Sequence, residues 1–120
     1  MNDAVEKVAI VTGASSGIGK ATAVALFADG WNVVFAGRRV DRLEKAIEEA
    51  NSARRARSSE DSPTPRAHAV QTDVTQQDSV RHLFARTRET FGRLDLLFNN
   101  AGISGQEMPV EELPLDVWRS

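Results

Sequence analysis

Four short apolar runs recur along this chain, each separated from the next by a segment of helical length. That alternation restricts the fold more than any other feature. The runs are Lys7 to Gly13 (KVAIVTG), Trp31 to Gly37 (WNVVFAG), Ala67 to Val74 (AHAVQTDV) and Leu94 to Gly102 (LDLLFNNAG). They read as continuously apolar rather than alternating, the pattern of strands buried on both faces. Between the first two, Ile18, Ala21, Ala25, Leu26 and Ala28 fall at helical spacing, with Gly30 as a stop. Val40, Leu43, Ile47 and Ala50 mark one face of a second helix, whose other face carries Asp41, Arg42, Glu44, Lys45, Glu48 and Glu49. In the third, Thr75 with Asp78 reads as a capping box with aspartate in place of glutamate. Val80, Leu83, Phe84, Thr87 and Phe91 then form the apolar face, and Gly92 ends the helix. A last helix is expected from about Leu115. Strands alternating with helices through right-handed crossovers give an α/β fold, a parallel sheet with helices on both faces.

One stretch breaks the pattern. Ser52 to Arg66 (SARRARSSEDSPTPR) is rich in serine, proline and charge and has little to bury, so it reads as an exposed, disordered loop insertion. Arg55-Ala56-Arg57-Ser58 within it fits a basophilic kinase site or a basic address signal; a solvated surface insertion is the plainer reading. Elsewhere composition excludes more than it assigns. The chain has 120 residues, enough for one core. It lacks cysteine, which removes disulfides and thiolate metal sites and makes the cytoplasm the expected compartment. A formal net charge of −2 argues against a general nucleic-acid or membrane-surface binder. No apolar stretch approaches the ~18 residues of a membrane span. Lone histidines, His68 and His82, form no metal or catalytic constellation, so no metal site is expected.

The loop after the first strand, Thr12 to Lys20 (TGASSGIGK), suits phosphate. A triphosphate loop requires glycine, four residues, then Gly-Lys-Ser/Thr. Counted from Gly13, the second glycine of that pattern falls on Ile18, and Ala21 follows Gly19-Lys20, so the magnesium-binding hydroxyl is missing. The dinucleotide reading fits better. The loop joins a strand to a helix N-terminus, where unpaired N–H groups and the helix dipole attract anions. Gly13 serves the tight turn, Gly17 the approach to pyrophosphate and Gly19 the packing of helix on strand.

Thr12-Gly13-x-x-x-Gly17-Ile18-Gly19, Asp73-Val74 and Asn99-Asn100-Ala101-Gly102 together closely resemble the classical short-chain dehydrogenase/reductase family, over nearly the whole chain. The resemblance implies a Rossmann-type doubly wound parallel sheet, here incomplete: the first four strands and three helices plus a helix stub. It implies a nicotinamide dinucleotide site at the C-terminal ends of strands one, three and four. Ser15 and Ser16 would supply loop groups to phosphate or ribose. Asp73 would accept from the adenine amino group, with Val74 against the ring, and Asn100, Ala101 and Gly102 would contact the ribose beside the nicotinamide. Asn99 would equally serve structure, bonding neighbouring strand backbones. Lys20 is expected to be solvated.

The end of the second strand sets cofactor choice. A carboxylate there suits the ribose 2′-hydroxyl of NAD(H), and an arginine suits the 2′-phosphate of NADP(H). Gly37 followed by Arg38 and Arg39 points to NADP(H) over NAD(H). Family members carry a catalytic serine, tyrosine and lysine downstream. This chain contains no tyrosine, so no catalytic residue is assigned in it. Residues 1–120 are therefore expected to be the N-terminal, cofactor-binding part of one domain of an NADP(H)-dependent oxidoreductase acting on an alcohol or carbonyl. The longer parent is expected to be a homo-oligomer, and the shorter chain prone to association through its last strand. The alternatives are a non-catalytic NADP(H)-binding or sensing module, or an incomplete gene product without a function of its own.

Overall fold

The computed structural model describes residues 7–57 and 65–100. Seven elements alternate: β1 (Val8–Thr12), α1 (Gly17–Ala28), β2 (Asn32–Gly37), α2 (Val40–Arg57), β3 (Ala67–Gln71), α3 (Gln77–Phe91) and β4 (Leu96–Asn99). All the strand pairs are parallel, in the spatial order β3-β2-β1-β4. This is the α/β class that the alternation implies.

Side-chain parity divides the core into two layers. Val11, Val33 and Phe35 point to one face, against Ala23 and Phe27 of α1 and Leu43, Ala46 and Ala50 of α2. Ile10, Val34, Ala36 and Val70 point to the other, against Val80, Leu83 and Phe84 of α3. β1 and β2 are buried along their whole length, whereas β3 and β4, the outer strands among the described residues, are mostly half-exposed or exposed, so the expectation of burial on both faces fails for them. The path of the chain explains why the helices divide two to one. From β1 through β2 to β3 it steps outward in one direction, which puts α1 and α2 on one face. It then returns past β1 to β4, and the same right-handed crossover puts α3 on the opposite face.

Helix faces differ from the sequence reading in detail. In α1 the buried residues are Gly19, Ala23, Phe27 and Ala28, whereas Ala21 and Ala25 are exposed and Ile18 is 70% exposed. Both stripes are apolar or small, so periodicity cannot choose between them. Packing selects the one whose first member, Gly19, can pass beneath the Gly13 carbonyl. In α2, Ala46 is buried and Val40 lies at the exposed end. α2 also continues to Arg57, so Ser52 to Arg57, read from composition as loop, are its last turns. Alanine and arginine favour helix, and Arg54 Nη1 donates to the Ala28 carbonyl at the end of α1, 2.9 Å away. Residues 58–64 of that reading lie outside the described residues, as does the helix expected near Leu115.

The capping box does not form. The N-cap of α3 is Gln76 and makes no side-chain capping bond. Thr75 instead donates its amide and its hydroxyl to Asp73 Oδ1, a local turn that outcompetes the helix for the threonine. Gly92 caps the other end of α3 as expected, in a left-handed conformation. At the opposite end of the strands from the glycine loop, Asp95 fixes β4 against β1. It accepts from the Val8 amide at 2.9 Å and donates its own amide to the Val8 carbonyl at 2.8 Å. Arg93 grips the same carboxylate through two bonds of 2.9 and 2.7 Å. That hydrogen bonding from Arg93, aided by the Val8 amide and the Arg93 and Lys7 charges, holds Asp95 below the usual carboxylate range against the opposing effect of burial.

Candidate functional site

The C-terminal ends of β1, β2 and β3 surround a cleft of about 300 Å³. Gly13 and Ser15 of the β1–α1 loop form one wall, Thr72, Asp73 and Val74 after β3 another, and Ala36 to Arg39 with Arg42 the third. It lies on the side of the sheet where parallel α/β folds bind ligands. Its location follows from the loop's backbone. Gly13 and Gly17 have φ of +64° and +60°, a region that side chains disfavour. Nothing lies within 4 Å of where a Gly17 Cβ would stand, so the backbone there faces open space. Ser16, the N-cap of α1, is extended and spends no side-chain bond on the cap, which leaves its hydroxyl for another acceptor or donor. Gly19 is closed in instead. A Cβ on it would collide with the Gly13 carbonyl and stand 2.8 Å from Asn100 Nδ2.

The charges in the cleft are unequal. Arg38, Arg39 and Arg42 face one carboxylate, Asp73. Arg38 Nη2 lies 3.8 Å from Asp73 Oδ2. Bonds from the Thr75 hydroxyl and amide hold the Asp73 carboxyl below its ordinary range, and the Arg38 charge contributes less. The backbone around them is tied down. The Thr72 amide donates to the Gly37 carbonyl at 2.7 Å, Gln71 Nε2 donates to the Arg38 carbonyl at 3.3 Å, and the Asp73 amide donates to Ser79 Oγ at 2.8 Å. A glycine loop at a helix N-terminus, open at Gly17, beside three guanidiniums suits a ligand carrying more than one phosphate.

The sequence-assigned residues do not all meet in one place. Gly13, Ser15, Arg38, Arg39, Asp73 and Val74 line the cleft. Ser16, Gly17 and Ile18 stand exposed at the start of α1, and Gly19 is buried beneath the loop. Asn100 sits beyond β4, where its amide donates to Thr12 Oγ1 at 2.9 Å. The same hydroxyl donates to Asn99 Oδ1 at 2.9 Å, so Asn99 bonds a side chain where a backbone partner was expected. Ala101 and Gly102 lie outside the described residues. Lys20 is not merely solvated, since it pairs with Glu49 across α1 and α2 at 3.2 Å. His68 packs edge-on against Phe91, away from the cleft. Arg42 and Thr72 are cleft residues that the sequence reading missed. Arg42 follows Arg39 by three residues on the first turn of α2, and that spacing was the available signal.

Among the described residues no group of side chains could hold a metal ion, and no helix is long and apolar enough to cross a membrane. A family model described as short chain dehydrogenase matches residues 7–120. A 3beta-hydroxysteroid dehydrogenase of Mediterraneibacter gnavus is 39% identical over a 116-residue alignment that covers 94% of this chain and 37% of that one. The chain therefore spans well under half the length of this relative. An alcohol dehydrogenase from the archaeon Thermococcus sibiricus, complexed with 5-hydroxy-NADP, superposes with a TM-score of 0.71 at 30% identity, covering 94% of this chain and 52% of that one. A metagenomic short-chain oxidoreductase in complex with NADP gives 0.70 at 30% identity, with coverage of 92% and 46%.

Proposed function

Because the chain belongs to the short-chain dehydrogenase family, we propose that it is the dinucleotide-binding part of an NADP(H)-dependent oxidoreductase. The observation that carries this reading is the make-up of the cleft at the end of β2. Gly37 stands where a carboxylate would hold a ribose 2′-hydroxyl, and Arg38, Arg39 and Arg42 surround it. A Cβ at residue 37 would stand 3.1 Å from Leu43 Cδ2, so a side chain there would need Leu43 to shift by a few tenths of an ångström. Guanidiniums present paired donors that match phosphate oxygens. The two solved neighbours with NADP-type ligands support the same choice.

Each group of residues then has a task. The β1–α1 loop, with Ser15, Ser16, Gly17, Ile18 and Gly19, directs backbone amides at the pyrophosphate. Asp73 and Val74 hold the adenine. Asn100, with Ala101 and Gly102, holds the ribose beside the nicotinamide. A bound nicotinamide would supply hydride transfer to or from an alcohol or carbonyl carbon. These residues bind and orient. None of them is an acid/base of the tyrosine type, because the chain has no tyrosine. Residues 1–120 are thus the N-terminal part of one nucleotide-binding domain.

Titration of the chain with NADPH and with NADH, followed by the fluorescence of the reduced nicotinamide, tests the reading. NADPH is expected to bind at least about tenfold more tightly, the effect of one charge-assisted contact to the 2′-phosphate. Equal affinities would overturn it.

A further inference from the structure

We infer that Arg38 and Asp73 form an exchangeable pair that makes recognition of adenine conditional on recognition of the 2′-phosphate. The inference rests on the cofactor reading above and concerns how that site discriminates. Asp73 has two acceptor oxygens. Oδ1 already accepts from the Thr75 amide at 3.0 Å and from the Thr75 hydroxyl at 2.6 Å. Oδ2 faces Arg38, whose Nη2 is 3.8 Å away. An amino group on a bound base must therefore use Oδ2, the oxygen that the guanidinium approaches as an ion pair without a hydrogen bond. Both side chains line the one cleft, so they compete within the site and not at a distance from it.

The exchange needs only a side-chain rotation. The backbone of Arg38 is held by Gln71, and that of Asp73 by Ser79. The Arg38 side chain is 76% exposed and free to swing, whereas that of Asp73 is 32% exposed and fixed by Thr75. Beside a 2′-phosphate, Arg38 gains an acceptor of higher charge and leaves Oδ2 open for the adenine amino group. Beside a 2′-hydroxyl, Arg38 gains no such acceptor and stays on Asp73. NAD(H) is then disfavoured twice, by the missing phosphate contact and by an adenine acceptor whose charge Arg38 still competes for. Arg38 is a selector as well as a ligand.

The experiment is a double-mutant cycle with Arg38→Gln, Asp73→Asn and the double variant, each titrated with NADPH and NADH. Far-UV circular dichroism checks that the folds match. Arg38→Gln is expected to weaken NADPH tenfold or more and to strengthen NADH two- to fivefold, the range of an exposed ion pair. In the Asp73→Asn background the same change is expected to give NADH no gain. If Arg38→Gln weakens NADPH but leaves NADH unchanged, the inference fails and the cofactor reading stands. A gain for NADH that persists in the Asp73→Asn background also overturns the inference, because it would not pass through Asp73. If Arg38→Gln leaves NADPH unchanged, the cofactor reading fails and takes the inference with it.

Discussion

Two side chains at opposite ends of the sheet separate binding from stability. Arg42 lines the cleft from an exposed position on the first turn of α2. Its guanidinium adds to those of Arg38 and Arg39, so Arg42→Ala is expected to weaken NADPH about three- to tenfold, a charged hydrogen bond discounted for exposure. NADH affinity and the melting temperature should hardly move, and isothermal titration beside a thermal melt checks both. Asp95 belongs to stability instead. Its folded pKa is lowered from an ordinary value of 3.8, chiefly by Arg93. A carboxylate with a depressed folded pKa stabilises fully above its unfolded value, and that contribution is lost as pH falls below it through the folded value. Asp95→Asn should cost about 1 kcal/mol near neutral pH, a figure reduced because the pair is partly exposed. The cost should shrink below about pH 4. Thermal melts of both proteins at pH 7 and pH 3 measure it, and a deficit independent of pH would show that the charge on Asp95 is not what β4 uses.

At the scale of elements, the instructive case is α2, which runs for 18 residues where its apolar spacing predicted fewer. The last two turns are polar and have little to bury, so hydrophobic periodicity was silent about them. They are held by intrinsic propensity and by the Arg54 bond to the Ala28 carbonyl. Proline in a helix interior costs about 3 kcal/mol and in a loop costs little. Ala53→Pro should therefore lower the melting temperature and the helical circular dichroism signal; an unchanged melt would return Ser52 to Arg57 to the loop. Both termini of α3 teach a related lesson. Gly92 ended the helix as its lack of a Cβ suggested, while Thr75 served Asp73 rather than the cap. The Asp73 carboxylate, two residues away, accepts from the Thr75 hydroxyl, and the helix takes Gln76 as its N-cap.

For the whole molecule, β4 is the last strand on its side of the sheet among the described residues, and Leu96 on it is 38% exposed. An open strand edge with apolar side chains templates pairing. The chain is expected to self-associate at micromolar concentration, and Leu96→Lys to shift it toward monomer in sedimentation velocity runs. Concentration-independent monomer for the unaltered chain would contradict this. Binding and catalysis should also separate. A positioned general acid/base alone contributes about 10²–10⁴ in rate, and the tyrosine that would supply it is not in this chain. Incubated with NADPH and a panel of ketones, the chain is expected to oxidise no cofactor above background. Turnover that survives repurification and disappears in Gly17→Trp would mean that other residues catalyse.

The sequence by itself determined the alternation of elements, the parallel sheet and the glycine loop. These depend on local properties: continuous apolar runs for strands buried on both faces, a 3.6-residue period for helices, and glycine where the backbone takes positive φ. It also placed the loop, Asp73-Val74 and Arg38-Arg39 at strand ends, because a strand end is visible where an apolar run stops. The tertiary structure alone decided which stripe of α1 is buried, since two small or apolar stripes compete and only the one led by Gly19 fits beneath Gly13. It alone brought Thr72 into the cleft, and it alone set Arg38 opposite the Oδ2 that Thr75 leaves open on Asp73. Arg38 and Asp73 are 35 positions apart and meet through the register of neighbouring strands. No local pattern in a chain encodes the distance between two side chains that meet only when the sheet forms.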